Sequence, residues 1–233
     1  MDLLRKYGLP VLILIMSALY IFVVPDEPFA VKLLFKLVPM WLIIAYAWLE
    51  SPKNRKRSHI LLLLGLFFCM LGDGLLVWFV VGLSAFLIGH LFYLSAFLGK
   101  WRFTKWRFAS VVPIAAYSIV MASYLLPAVK DGGNGALLIP VLLYLIVIAL
   151  MCWSAIMTGR LWAAVGSVLF VISDSVLAWN KFVSDVPHAG IWIMVTYYAA
   201  QLLIARSIRT IDGGDSGVSQ PRPIDDSTGL RLS

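Results

Sequence analysis

The stretch "GLFFCMLGDGLLVW", residues 65–78, is apolar except for one carboxylate, Asp73. A second stretch, "GSVLFVISDSVLAW" at residues 166–179, aligns with it without a gap and carries Asp174 at the same position. Gly, Asp, Leu and Trp match, and a small residue stands on each side of both aspartates. The repeat therefore predicts two equivalent apolar helices, each with one buried carboxylate.

The composition places such helices in a membrane. The chain has 233 residues, of which 61% are hydrophobic and 13% charged, whereas a soluble domain is roughly half apolar. The basic start and long apolar run at the N-terminus have no small-residue cleavage site, which predicts a retained first membrane helix rather than a signal peptide. We therefore expect an integral membrane protein.

Apolar runs of about 20 residues, the length that spans a bilayer, predict an all-α, polytopic membrane bundle of eight transmembrane helices. They cover approximately 8–24, 30–49, 60–78, 80–99, 108–127, 136–157, 161–180 and 188–207. These runs are too long and continuous for the alternating strands of a barrel. We expect one transmembrane domain over 1–211 and a disordered polar cytoplasmic tail over 212–233. The two repeated segments lie four helices apart and so run in the same direction, which predicts two parallel four-helix repeats.

The charge distribution is explained by topology. The 19 Lys and Arg outnumber the 12 Asp and Glu, and the basic residues cluster in every second connection between helices. By the positive-inside rule both termini are cytoplasmic, and the excess of positive charge gives no reason to expect a nucleic-acid partner. The compact loops and the lack of an organelle signal favour a bacterial inner membrane over an endomembrane.

Ten of the twelve acidic residues lie at termini, in loops or in the tail, which leaves Asp73 and Asp174 inside the membrane. A charged side chain there costs roughly 2.5–3.5 kcal/mol on insertion scales, so such residues usually face the bundle interior and mark function. We predict that these two aspartates belong to the functional site. The alternative is that neighbouring hydroxyls and amides satisfy them and that they only hold the bundle together.

Other polar residues fall at matching depths. Lys36 is predicted to pair with a carboxylate or to bind a phosphate, while Lys32, one turn earlier, can reach the interface. The predicted substrate-binding set is Lys32, Lys36, His90, Tyr93, Tyr197, Tyr198 and Gln201. His90 and the aspartates lack the HxxxH or ExxH spacing that preorganises a metal site, so we expect no metal and no cofactor.

Several segments resemble the YhhN-type lysoplasmalogenase family of eight-helix membrane proteins. They are the turn from Lys36 to Pro39, "LGDGLL", "GLSAFLIGHLFYLSAF", "GSVLFVISDSVLA" and "TYYAAQLLIARS", in that order over nearly the whole chain. Leu37 departs from the family pattern, in which a proline is expected before Pro39.

The resemblance implies hydrolysis of the alkenyl ether bond of lysoplasmalogens, which yields a fatty aldehyde and glycerophosphoethanolamine or glycerophosphocholine. Protonation of the alkene gives an oxocarbenium ion, so one aspartate is expected to act as acid and the other to stabilise the cation and activate water. We expect a cavity open to the outer leaflet, with Lys32 or Lys36 near the phosphate and Tyr93 and Tyr197 along the alkenyl chain. The expected partners are the lysophospholipid substrate and membrane lipids, and the oligomeric state stays open.

A rival hypothesis from another class is a proton-coupled transporter of a small molecule or lipid. Parallel repeats and intramembrane Asp and Lys residues occur in such carriers as well. The short loops speak against it, as does the lack of matching Gly/Pro interruptions in the two halves.

Overall fold

The computed structural model describes residues 7–25 and 27–213 and is helical over most of them. The helices are α1 (Leu9–Phe22), α2 (Phe29–Glu50), α3 (Arg57–Leu75), α4 (Phe79–Leu98), α5 (Lys105–Ala109), α6 (Val111–Asp131), α7 (Leu138–Met157), α8 (Leu161–Phe182) and α9 (Ala189–Ser207), with a short 3-10 turn at Gly135–Leu137. No strand occurs within these described ranges. The expected all-α fold is confirmed.

Seven spans in the described residues are long and apolar enough to cross a membrane, with α5 and α6 counted as one. They correspond to the second to eighth predicted helices. The first predicted helix is represented by α1, whose 14 residues extend about 21 Å at 1.5 Å per residue. That length is shorter than the roughly 30 Å apolar layer of a bilayer.

The outside of the bundle is apolar and the inside contains polar and small residues. Large side chains such as Ile119 and Ile139 are 70% and 78% exposed, as befits surfaces that face lipid. Gln201 and His90 are fully buried in the interior. The apolar exterior distinguishes the bundle from a soluble protein and fits a chain whose solvent is the bilayer.

Glycines allow the closest helix pairs to form. A Cβ on Gly65 of α3 would lie 2.3 Å from the Tyr93 ring of α4, and a Cβ on Gly166 of α8 would lie 3.0 Å from the Ala200 carbonyl oxygen of α9. Small residues at membrane helix interfaces permit this close approach. The pairs α3–α4 and α8–α9 are the most extensive in the bundle, and they occupy equivalent places in the two predicted repeats.

The two halves are interlocked through their last helices. Helix α9 packs on α2 and α3 of the first half, and α4 packs on α7 of the second. In the predicted repeat α4 corresponds to α9 and α7 to α2, so the α4–α7 and α2–α9 contacts correspond to each other. Each aspartate thereby lies where helices from both halves meet.

The segment after α9 is anchored at the basic end of the bundle. Asp212 accepts hydrogen bonds from Ser58 at 3.0 Å and from His59 Nε2 at 3.1 Å, and it pairs with Lys100. Burial raises the pKa of Asp212, but the hydrogen bonds from Lys100 and Ser58 and the charges of His59 and Lys100 outweigh it and leave the pKa below its ordinary value. The structure thus describes the first two residues of the predicted tail, and residues 214–233 lie outside the described residues.

Candidate active site

Asp73 lies in the last turn of α3 and is enclosed by partners. Its Oδ1 is 3.2 Å from Lys36 Nζ, and the Tyr197 hydroxyl donates to Oδ2 at 2.5 Å. Lys36 also donates to the Asp73 carbonyl oxygen at 3.3 Å, one of the helix-end carbonyls that lack an intrahelical donor. The expected pairing of Lys36 with a carboxylate is confirmed, and the Asp73 side chain is only 4% exposed.

The other predicted polar residues of α2, α4 and α9 surround this pair. The Tyr198 hydroxyl donates to the Lys36 carbonyl oxygen at 2.7 Å, and the Tyr93 hydroxyl donates to Gln201 Oε1 at 2.7 Å. Lys32, in the first turn of α2, is half-buried. These residues form a buried polar layer that joins α9 to α2 and α4.

Asp174 lies in the outer half of α8 with different partners. The Tyr144 hydroxyl of α7 donates to its Oδ2, and His90 Nε2 of α4 is 4.0 Å from the same oxygen. In the described ranges no Lys or Arg pairs with Asp174, and its Oδ1 has no hydrogen-bond partner. The charge of Asp73 is compensated by a cation, whereas that of Asp174 is not.

The His90 ring has a defined orientation. Its Nδ1 lies 2.7 Å from the Phe86 carbonyl oxygen, and since a carbonyl oxygen only accepts, Nδ1 is the donor. Nε2 is buried and, within the described residues, has no hydrogen-bond partner. The 4.0 Å between Nε2 and the Asp174 carboxylate is too long for a hydrogen bond.

Aromatic rings separate the two carboxylates. Tyr197, which binds Asp73, packs on Phe170 with ring centres 5.5 Å apart, and Phe170 packs on His90 at 4.5 Å. The resemblance led us to expect that one aspartate acts as the acid while the other stabilises the cation. In the structure each aspartate has its own set of partners, and the rings connect the two sets.

A cavity of about 680 Å³, counting the space at its mouth, lies between α4, α6, α7 and α8. Its polar lining residues are Asp174, Ser175, Tyr117 and Tyr144, and the rest of the wall is apolar. We call it the central cavity. It presents a single carboxylate to an apolar space between the helices.

The central cavity lies elsewhere than the sequence predicted. Tyr93 and Tyr197, expected along the alkenyl chain, do not line it. Phe86 stands between, since it lines the cavity and packs against the Tyr197 ring at 6.1 Å. Lys36, expected near a phosphate, is also absent from the wall. The tyrosines at the cavity are Tyr117 and Tyr144, which the sequence interpretation missed.

The repeat contains a signal for Tyr144. Lys36 of α2 contacts Asp73, so the equivalent helix α7 is expected to contribute the partner of Asp174. Tyr144 is the only polar side chain between Leu138 and Met151 in that helix. No comparable pattern marks Tyr117.

The small residues beside the aspartates have divided roles. A Cβ on Gly72 would lie 2.6 Å from the Phe86 ring, so this glycine serves packing, and Ser173 donates to the Ile193 carbonyl oxygen at 3.0 Å. Ser175, on the other side of Asp174, lines the central cavity and hydrogen-bonds Tyr117. Of the two residues that flank Asp174, Ser175 therefore faces the cavity and Ser173 does not.

In the part of the chain that the structure describes, no three His, Cys, Asp or Glu residues lie close enough together to hold a metal ion. The carboxyl group of Asp174 and the phenol groups of Tyr117 and Tyr144, which line the central cavity, are groups used in acid–base chemistry.

Comparison with known proteins places the chain in a family. It matches the YhhN family over residues 31–208. It is 35% identical over 186 residues to "Lysoplasmalogenase TMEM86B" of Mus musculus, covering 78% of this chain and 77% of that protein. The human protein of the same name is 35% identical over 179 residues, or 75% and 74% of the two chains. "Lysoplasmalogenase" of Mycobacterium tuberculosis is 31% identical over 173 residues, or 71% and 66%. No solved structure matches the chain. The family match and these relatives show that the chain belongs to the YhhN family.

Proposed function

We propose that this protein is a membrane-embedded lysoplasmalogenase. It hydrolyses the alkenyl ether bond of a lysoplasmalogen to a fatty aldehyde and glycerophosphoethanolamine or glycerophosphocholine. The names of its relatives support this substrate. The proposal rests on the position of Asp174. Its carboxyl group lines an apolar cavity between membrane helices, and within the described residues one of its two oxygens accepts no hydrogen bond.

Asp174 is the proton donor in this mechanism. Hydrolysis begins with transfer of a proton to the alkene carbon distal to the ether oxygen, which leaves an oxocarbenium ion. An uncompensated buried charge is costly, so Asp174, without a cationic partner, is favoured as the neutral acid. Tyr144 donates to Oδ2 and thereby directs the acidic proton to Oδ1.

The same carboxyl group completes the cycle. Once Asp174 has given up its proton, its carboxylate stabilises the adjacent cation. A water in the central cavity beside Asp174 adds to the alkenyl carbon that is bonded to the ether oxygen, and its proton returns to Asp174. The resulting hemiacetal breaks its bond to the ether oxygen, which takes the hydroxyl proton, and releases the aldehyde and the glycerophospho-alcohol.

Asp73 has a positioning role in this proposal. It is ion-paired with Lys36 and accepts a hydrogen bond from Tyr197. Tyr197 in turn packs on Phe170, which packs on His90. The charged pair thus fixes the rings behind the His90 side chain, and Asp73 does not contact the substrate.

The test is aldehyde release by the purified protein in detergent. The substrate is an alkenyl lysophospholipid in D₂O, and its saturated 1-alkyl analogue, which has no alkene to protonate, is the control. We expect aldehyde from the first lipid alone, with one deuterium on the carbon next to the carbonyl. The authentic aldehyde incubated under the same conditions corrects for exchange. Failure to release aldehyde would contradict the proposal, and aspartate-dependent uptake into liposomes without hydrolysis would favour the transporter.

We further propose that both termini are cytoplasmic and that the membrane is a bacterial inner membrane. Asp212, just after α9, contacts the start of α3 and the end of α4, where the basic connections lie. Thr104→Cys and Asn134→Cys, each in a background without Cys69 and Cys152, test the orientation. An impermeant thiol reagent is expected to label the second in intact cells and the first only after permeabilisation. The opposite pattern would reverse the orientation.

A further inference from the structure

A second cavity adjoins the outer end of the central cavity. It has a volume of about 680 Å³ including its mouth, and it shares Phe79 and Phe182 with the central cavity. Its polar lining residues are Trp78, Asn134 and Lys181. We call it the outer cavity. Unlike the central cavity, it combines an amide, an indole and an ammonium group.

Lys181 has a charge available for a ligand. It is exposed in the last turn of α8, and its Nζ lies 4.8 Å from the centre of the Phe79 ring, at the boundary of the two cavities. Within the described ranges no carboxylate forms an ion pair with it. A lysine ammonium is a point charge that suits a phosphate.

A third cavity adjoins the inner end of the central cavity. Its volume is about 660 Å³, and it shares Tyr117, Leu145, Ile148 and Val171 with the central cavity. Its wall is almost entirely apolar. We call it the inner cavity. An apolar space that shares a wall with the central cavity suits an alkyl chain.

The three cavities follow the axis of α8 in order. Phe182, at the outer cavity, is eight residues beyond Asp174, which corresponds to about 12 Å along the helix. Val168, at the inner cavity, is six residues before Asp174, or about 9 Å. A single-chain glycerophospholipid presents its groups in the same order, with the phosphate first, the ether bond next and the tail last.

We propose that the three cavities together hold one lysophospholipid, with its phosphate on Lys181 in the outer cavity and its tail in the inner cavity. This inference rests on the function proposed above and adds the orientation and the headgroup site. It also transfers the phosphate-binding role from Lys36, whose ammonium is paired with Asp73, to Lys181. Asn134 and Trp78 supply further hydrogen-bond donors at the same end.

The headgroup site is tested with Lys181→Gln and two substrates in phospholipid-free detergent. One is the alkenyl lysophospholipid and the other is the alkenylglycerol, which lacks the phosphate. We expect kcat/KM for the first to fall about tenfold, as for loss of a hydrogen bond to a charged group, and that for the second to stay unchanged. Lys130→Gln, which removes an exposed charge at the same end of the bundle outside the cavities, is the matched control and is expected to change neither.

The tail site is tested with Ala149→Phe, which fills the inner cavity. With lysoplasmalogens that differ only in alkenyl chain length, kcat/KM is expected to fall about tenfold for the longest chain, a typical cost of overpacking, and little for the shortest. Ala116→Phe, on the exposed face of α6, is the control.

The outcomes separate this inference from the proposed function. Wild-type protein that releases aldehyde from neither substrate refutes the function itself. If the wild-type protein is active but Lys181→Gln lowers kcat/KM equally for the phosphorylated and unphosphorylated substrates, or for neither, the phosphate site is overturned. A uniform effect of Ala149→Phe across chain lengths overturns the tail site and leaves that cavity as a groove for bilayer lipid.

Discussion

Asp73→Asn is expected to destabilise the folded protein strongly because it leaves the Lys36 ammonium without its anion. The Lys36 side chain is 15% exposed and the Asp73 side chain 4%. Breaking a fully buried pair costs about 3–5 kcal/mol, and the partial exposure of Lys36 reduces this to about 2–3 kcal/mol. Tyr197 also loses its bond to a charged acceptor, worth about 1 kcal/mol more. We therefore expect a loss of about 3–4 kcal/mol in the free energy of unfolding.

The double variant Lys36→Met/Asp73→Asn isolates the pair. Because it leaves no buried charge, it is expected to recover about 1–2 kcal/mol relative to Asp73→Asn. Equilibrium unfolding in mixed micelles measures wild type, both single variants and the double variant. Asp174→Asn is the matched control and is expected to cost less than about 1 kcal/mol, since it removes no partner from a cation and keeps the acceptor for Tyr144. Additive effects of Lys36→Met and Asp73→Asn would refute the reasoning, as would equal losses from Asp73→Asn and Asp174→Asn.

Three further variants test the surroundings of the site. His90→Asn keeps a donor for the Phe86 carbonyl but removes the ring beside the Asp174 carboxylate, so we expect kcat to fall about tenfold with little change in KM; an unchanged kcat would show that the ring does not position Asp174. Tyr144→Phe removes one hydrogen bond to Asp174 and is expected to lower kcat about fivefold to tenfold, without the loss of folding stability that a purely structural tyrosine would show. Asp212, whose pKa is depressed by its partners, adds stability that is present above its ordinary pKa of 3.8 and lost as the pH falls through its folded value. Asp212→Asn is therefore expected to lower the free energy of unfolding by about 1 kcal/mol at neutral pH and to weaken its decrease at acid pH. An unchanged decrease at acid pH would show that Asp212 does not contribute to stability.

The membrane spans and the proximity of Lys36 to Asp73 could be predicted from the sequence. Hydropathy marks each membrane helix independently, and counting residues along α2 and α3 brings Lys36 to the level of Asp73. The predicted ends of α3 and α8 were less accurate. The first stops at Leu75 and the second continues to Phe182, so the two aspartates do not lie equally far from their helix ends.

The position of the cavity could not be derived from the sequence. In a membrane helix the faces toward lipid, cavity and neighbouring helix are all apolar, so periodicity does not distinguish them. Asp174 lines a cavity between α4, α6, α7 and α8, whereas Asp73 is enclosed by its partners Lys36 of α2 and Tyr197 of α9. In this arrangement the Asp174 carboxyl lines the cavity, and the Asp73 carboxyl lies outside the cavity wall.

The most direct test of the account is the rate of aldehyde release by Asp174→Asn and Asp73→Asn, measured in the same detergent and normalised to the folded fraction. Loss of a general acid lowers kcat by about 10²–10⁴-fold, so we predict this fall for Asp174→Asn with an unfolding midpoint close to that of wild type. Asp73→Asn is predicted to lose stability and to retain much more activity per folded molecule. A folded Asp174→Asn variant that releases aldehyde at the wild-type rate would contradict the assignment of Asp174 as the proton donor.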